Sequence, residues 1–241
     1  MLEMNYLVFD SEYHAITTDY LNRSLRRKIL SLGGQCESGN KNGRVYFSAT
    51  VPKERAKYLK PALEDKIADV IAVNYKYDFF KRKVRVNGLS GVEYELLLSA
   101  LISADLEEDK RFVRSKLNES PYAVDGAFNF LLKPLIEKWK EIVSFVPAYF
   151  FPDQLKRFIS YIVGEKRPSK VYVMGDKVYD LSYNVLDRSY LTGEGDCRLI
   201  REIILSSSGE VELSAPIPEK DEFYLKEFFG EKILFGKGYF G

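Results

Sequence analysis

His14 is the chain's single histidine, and Cys36 and Cys197 are its two cysteines, so metal binding through imidazole and histidine-driven nucleophilic attack have very few donors to draw on. His14 lies in a polar turn and is read as a solvated side chain. Cys197 follows Asp196 at the start of a helix, a position that can lower a thiol pKa. Ile200 and Ile203 aim that helix at a core, however, and the thiol is read as buried and structural. Asp105, Glu107, Glu108 and Asp109 are the carboxylates best placed to share a divalent ion. They lack both the spacing and the glycine turn of a calcium loop, and are read as a charged helix boundary. Gly236-Lys-Gly-Tyr-Phe-Gly241 matches the glycine pattern of a dinucleotide loop, but no helix follows to receive a pyrophosphate, so a glycine-rich tail is expected. No catalytic residue, metal or cofactor is therefore assigned, and the chain is read as non-enzymatic.

Binding chemistry has stronger candidates. Between Tyr75 and Arg85 aromatic and basic residues interleave, as they do where proteins stack single-stranded bases and meet phosphates. Lys81, Arg82, Lys83 and Arg85, with Arg23, Arg26, Arg27 and Lys28, make up a nucleic-acid footprint. The competing reading is an amphipathic edge strand, with Lys81, Lys83 and Arg85 on its wet face. Tyr149, Phe150 and Phe151 fall where a helical hairpin turns, and are assigned to an exposed patch that takes a protein partner. Charge is unevenly divided: residues 1–90 carry 16 Lys and Arg against 10 Asp and Glu, while the remainder carries 20 against 25. A basic front half is compatible with a polyanionic or acidic partner.

The elements that must position these residues follow from periodicity. Tyr6 to Phe9 suits a strand; Leu21, Leu25, Ile29 and Leu32 mark a helix stopped by Gly33 and Gly34; Lys41-Asn42-Gly43 is a turn into a strand with Val45, Phe47 and Ala49 inward. Ala56, Leu59, Leu63, Ile67 and Val70 line a second helix, and Ile71 to Tyr77 is expected to close the unit as a further strand. The order suits a small two-layer αβ unit, with a ferredoxin-like arrangement as one possibility. Two glycines in Asn87–Gly91 suggest a boundary, giving a basic α+β unit over 1–88 and a second domain over 89–241.

Beyond it, helices are expected near 92–104 and 106–117, then a helical hairpin of Asp125–Val146 with Pro152–Val163. Pro134 either kinks the first arm or lies in the first turn of a second helix. Asp125 and Asp221 are assigned as N-caps and Gly230 as a C-cap. Val171–Met174 and Val178–Tyr183 flank a Gly175-Asp176 turn. The tail should run α, β, α, β, its last two strands parallel across a right-handed crossover. The fold class is thus α+β: a small two-layer N-terminal αβ unit, a helical hairpin core and a mixed α/β C-terminal part. The longest apolar run, Phe145–Phe151, is too short to span a bilayer, and the opening residues lack a basic secretory n-region. The expectation is a cytoplasmic protein without membrane insertion.

Asp125-Gly126, Asn129-Phe130 and Leu132-Lys133 resemble the DGFxNFRLK pattern of the YtxC-like family of sporulation proteins of endospore-forming bacteria. The run through Tyr161, Val163 and Pro168 into Val171 and Val173, and Asp196 with Leu199-Ile200 and Ile203-Ile204, are similar to its later blocks. The similarity covers about residues 120–235. It departs from the pattern at Leu131, where the family carries arginine, at Ser214, where a histidine tends to stand, and in the absence of cysteines from Gly236–Gly241. The resemblance implies a sporulation-associated accessory protein of unassigned biochemistry that acts on an unidentified protein partner.

Overall fold

The structure, a computed structural model, describes residues 2–117, 120–165 and 169–236. In chain order it contains β1 (Glu3–Ser11), α1 (Ile16–Ser31), β2 (Gln35–Lys41), β3 (Arg44–Pro52), α2 (Ala56–Asp69), α3 (Lys76–Lys83), α4 (Gly91–Ser103) and α5 (Leu106–Lys116). Then come β4 (Tyr122–Ala123), α6 (Val124–Leu131), α7 (Lys133–Phe145), α8 (Pro152–Glu165), β5 (Lys170–Met174), β6 (Lys177–Tyr179) and β7 (Val185–Leu186). The tail is α9 (Arg198–Leu205), β8 (Glu210–Leu213), α10 (Glu219–Phe229) and β9 (Ile233–Phe235). The fold is α+β, with an N-terminal αβ unit, a joined helical run over residues 53–83 and a mixed α/β C-terminal region.

Contacts within the chain gather into two interleaved units, one of Met1–Tyr75 with Glu107–Lys140, the other of Lys76–Leu106 with Glu141–Gly241. The sequence boundary at 88 is a different cut of the chain, because composition marks linkers and not which distant segments share a core.

In the first unit the strand order is β2-β3-β1-β4. β3 is antiparallel to β1 and β2, with Val8 opposite Phe47 and Ser38 opposite the same residue. Asn42 and Gly43 take φ of 55° and 73°, the left-handed pair a two-residue hairpin turn requires. The first three strands and their two helices follow a ferredoxin-like order. The fourth differs: β4 is two residues long and parallel to β1, Val8 opposite Tyr122. Leu21, Leu25 and Ile29 of α1 and Leu59, Leu63 and Ile67 of α2 are fully buried with Val8, Phe47 and Ala49 of the sheet, each large side chain contributing about 1.5–3 kcal/mol. Pro61 lies inside α2 without ending it.

Residues Val70–Tyr75 are not a strand. They form a π-helical turn that runs directly into α3, and all six are buried. A β-branched run wrapped by core on every side shows no 3.6-residue periodicity, which is why its sequence mimics a strand.

In the second unit the sheet order is β7-β6-β5-β8-β9. β5 pairs parallel with β8 and β8 parallel with β9, joined through α10 as the crossover pattern requires. Gly175, at φ 62°, turns the β5–β6 hairpin. Ser90 and Glu93 form a reciprocal capping box on α4. α8 packs on α4 and α10 through buried Leu155, Ile159, Ile162 and Val163.

The hairpin segment keeps its helices, with α6 ending at Leu131 and Pro134 in the first turn of α7. Its arms divide between the units, α7 as far as Lys140 with the first and α8 with the second.

Candidate partner-binding surface

Phe145 ends α7, and Val146–Phe151 lead to α8, a seven-residue stretch in which the Tyr149 hydroxyl is the one polar side-chain group. Backbone pairing fixes this turn. Asn87 N–H donates to the Ala148 carbonyl at 3.0 Å, and Phe150 N–H donates to the Asn87 carbonyl at 2.9 Å, a parallel bridge between Asn87 and Tyr149. Gly88 makes the approach possible: its φ is 93°, and a Cβ there would lie 2.7 Å from Tyr149 Cε1 and 2.8 Å from the Phe150 carbonyl oxygen. On the far side Phe151 N–H donates to Gln154 Oε1 at 2.8 Å, tying the turn into the start of α8.

Three rings stand out from this anchored turn: Phe145 is 78% exposed, Tyr149 53% and Phe151 55%. Tyr149 and Phe151 lie 4.8 Å apart, tilted by 53°. At about 200 Å² per aromatic side chain, the adjoining Tyr149 and Phe151 rings expose roughly 200 Å², with Phe145 exposed separately at the end of α7. Phe150, assigned to the patch from sequence, turns inward and meets Phe158 edge-on at 6.3 Å. Phe145, at the end of α7, is exposed as well, and was not assigned to the patch from sequence.

The basic residues of the expected nucleic-acid footprint sit otherwise than a strand would hold them. Lys81, Arg82 and Lys83 form the last turn of α3, and Arg85 follows it. Lys81 lies 3.6 Å from Glu95 and donates to the Tyr77 hydroxyl; Arg82 Nε donates to the Asp78 carbonyl, and Arg85 Nη1 to the Lys81 carbonyl. The interleaved aromatics, Tyr75, Tyr77, Phe79 and Phe80, are all buried, so this segment offers no stacking platform. Lys76 is wholly buried, paired with Asp105. Arg23, Arg26, Arg27 and Lys28 are the exposed face of α1, which belongs to the first unit, whereas Lys81–Arg85 belong to the second.

The first unit also contains a buried polar cluster that sequence did not reveal. Asp10 occupies an inward position of β1 and is 0% exposed. Its carboxylate accepts from Tyr75 Oη at 2.5 Å, Thr17 Oγ1 at 2.7 Å and Ser11 N–H at 2.8 Å. Burial pushes its pKa up despite these donors, and pushes the Tyr75 phenol far above its ordinary value. His14 is no bystander: its ring stacks on Tyr75 at 3.8 Å, and Nδ1 lies 2.8 Å from Asn74 Oδ1. Asp125, expected as an N-cap, lies within the first turn of α6 and pairs with Arg44 of β3.

In the second unit Arg201, 1% exposed, donates from its guanidinium to Thr192 Oγ1 at 3.0 Å and the Gly193 carbonyl at 3.2 Å, holding the segment before α9. Asp221 does not cap its own helix. It accepts from Ile200 N–H of α9 at 2.8 Å, and burial raises its pKa. Cys197 is buried, as expected, with a left-handed φ of 54° and a thiol pushed up to about 11, chiefly by burial. Gly230 ends α10 at φ 50°. Of the glycine-rich tail, residues 237–241 lie outside the described residues. Among the described residues no group of three His, Cys, Asp or Glu could hold a metal ion, and no helix is long and apolar enough to cross a membrane.

No family model matches the chain, and neither a curated protein nor a solved structure does.

Proposed function

We propose that this chain is a cytoplasmic accessory protein of the sporulation programme that acts without catalysis, by seating a protein partner on the ring surface of Phe145, Tyr149 and Phe151. The observation that carries the reading is that the exposed Tyr149 and Phe151 rings, packed together four residues beyond exposed Phe145, are held by a backbone bridge at Asn87 and a side-chain bond at Gln154. A preorganised aromatic group loses less conformational entropy on binding than a mobile one, and aromatic anchors dominate the energetics of protein interfaces. The sporulation setting is supported by the resemblance at Asp125–Lys133 and Asp196–Ile204 to the YtxC-like family. The test is a photo-crosslinking phenylalanine analogue at position 145 or 151, with exposed position 223 on α10 as control, in cells entering sporulation. One discrete protein adduct from 145 and 151 but not 223 is expected; identical products from all three positions would refute the reading.

A second reading, nucleic-acid binding through the basic N-terminal unit, is favoured by the exposed Arg26, Arg27 and Lys28 face of α1. It requires salt-dependent retention of the full chain on single-stranded DNA or RNA that is lost when those three become Glu.

A further inference from the structure

The two sets of residues that sequence reading kept apart, the basic run and the aromatic turn, meet at one place in the second unit. The Asn87–Tyr149 bridge joins the segment after α3 to the turn before α8. Arg85 lies two residues from Asn87, so their Cα atoms are at most about 7 Å apart. Arg82 and Arg85 donate to the carbonyls of Asp78 and Lys81, and both side chains, with that of Lys83, are exposed. Acids are present too: Asp78 in the first turn of α3, Glu95 of α4 at 3.6 Å from Lys81, Glu137 and Glu141 on α7 and Asp153 in the first turn of α8. Arg82, Lys83 and Arg85, whose charges no ion pair neutralises among the described residues, thus lead along the chain into the bridge that holds the apolar turn.

The distribution decides which polyanion fits. A single-strand nucleic-acid platform intersperses cations among its stacking rings, so that each base meets a ring while its phosphate meets a charge. Here the stretch from Phe145 to Phe151 contains no cation at all. The charges lie outside it, at Arg82–Arg85, Lys140 and Lys156–Arg157, following the pattern of an apolar interface centre with a polar rim. Building on the proposed partner-binding role of this surface, we infer that the partner is a protein whose docking segment is acidic with an apolar face, its carboxylates meeting Arg82, Lys83 and Arg85 while its apolar residues cover Tyr149, Phe151 and Phe145. The rim charges steer the encounter and fix which partners are rejected; the rings supply the larger share of affinity.

The experiment uses the full chain and three labelled probes in fluorescence anisotropy: a 20-residue amphipathic peptide with leucines on one helical face and glutamates elsewhere, the same peptide with lysines for glutamates, and a 20-nucleotide thymidine strand. The acidic peptide should bind at least about tenfold more tightly than the basic one at low salt, a difference of about 1.4 kcal/mol, and the preference should shrink as salt is raised. Arg82→Gln, Lys83→Gln and Arg85→Gln together should erase the preference, while Tyr149→Ala with Phe151→Ala should weaken the acidic peptide about tenfold or more. Circular dichroism confirms that each variant remains folded, and the Gln set preserves hydrogen-bonding side chains at the end of α3. Equal binding of the two peptides, both dependent on the rings, would overturn the acidic partner while leaving the docking surface intact. Peptide binding indifferent to the ring substitutions would overturn both. Thymidine-strand binding that depends on the same arginines, with no peptide binding, would replace the protein partner by a nucleic acid.

Discussion

Replacing Gly88 by alanine tests whether the aromatic turn is held in place or merely lies there. At φ 93° an L side chain incurs about 1–2 kcal/mol of backbone strain, and the new Cβ would sit 2.7 Å from Tyr149 Cε1 and 2.8 Å from the Phe150 carbonyl oxygen. The ring can rotate away; the carbonyl cannot move without opening the bridge. If the bridge opens, the bonds from Asn87 N–H to Ala148 and from Phe150 N–H to Asn87 are lost, at about 1 kcal/mol each. A total of about 3 kcal/mol is expected, equivalent to a fall in Tm of about 6–12 °C for a chain of this size. Urea unfolding followed by circular dichroism measures the loss, and anisotropy with the acidic peptide measures whether the displaced rings still bind. Combining Gly88→Ala with Tyr149→Ala should recover part of the loss, a coupling of at least about 0.5 kcal/mol, because one of the two close contacts is gone. A stability change below about 0.5 kcal/mol, or strict additivity of the two substitutions, would refute the claim that Gly88 anchors the surface.

Three further outcomes are expected. Lys110→Met removes an ammonium that is 2.8 Å from buried Asp69 and 3.0 Å from Asp65. Asp69 keeps Tyr20 and Lys66 as partners, so the loss should be about 3 kcal/mol, at the low end for a broken buried pair; the single tryptophan, Trp139, buried with its Nε1–H on Asp109 at 3.0 Å, reports it by fluorescence. Asp10 has a folded pKa above its unfolded value, so its contribution to stability is fully present below the ordinary carboxylate value of about 3.9 and is lost as pH rises through the folded value. Asp10→Asn, which can still accept from Tyr75 and Ser11, should therefore gain on the parent from pH 4 upward, and parallel stability–pH curves for the two proteins would contradict this. A thiol reagent at pH 8 should modify Cys36 first and reach Cys197 only on unfolding, because the Cys197 thiol is buried and pushed up to about 11.

Local signals in the chain were faithful where one element answered to its own neighbours. Asn42-Gly43, Gly175 and Gly230 all adopt the left-handed conformations their positions demand, and the parallel pairing of β8 with β9 follows from a helix of α10's length between two short strands. The misreadings share a different cause. Val70–Tyr75 is buried on every side, so no stripe distinguishes helix from strand. Asp125 and Asp221 carry the right chemistry for capping, yet their carboxylates reach Arg44 and Ile200, 81 and 21 residues away, partners that no local pattern announces. Of the three aromatics assigned to the turn, Tyr149 and Phe151 are exposed and Phe150 is half-buried. That Phe150 turns toward Phe158 while its neighbours stay exposed accompanies the Asn87 bridge, which joins segments 62 residues apart. The basic run was correctly seen as charged and wrongly seen as extended, because alternating charge and ring also suits a short helix whose aromatics are buried.

The interleaving of the two units constrains how the chain is born. β1 is made well before its neighbour β4, since Val8 pairs with Tyr122, and the indole that fills the same unit arrives only at Trp139. β1 must therefore wait, one edge open, while more than a hundred further residues are synthesised, an interval in which an attendant that shields that edge would have its greatest effect.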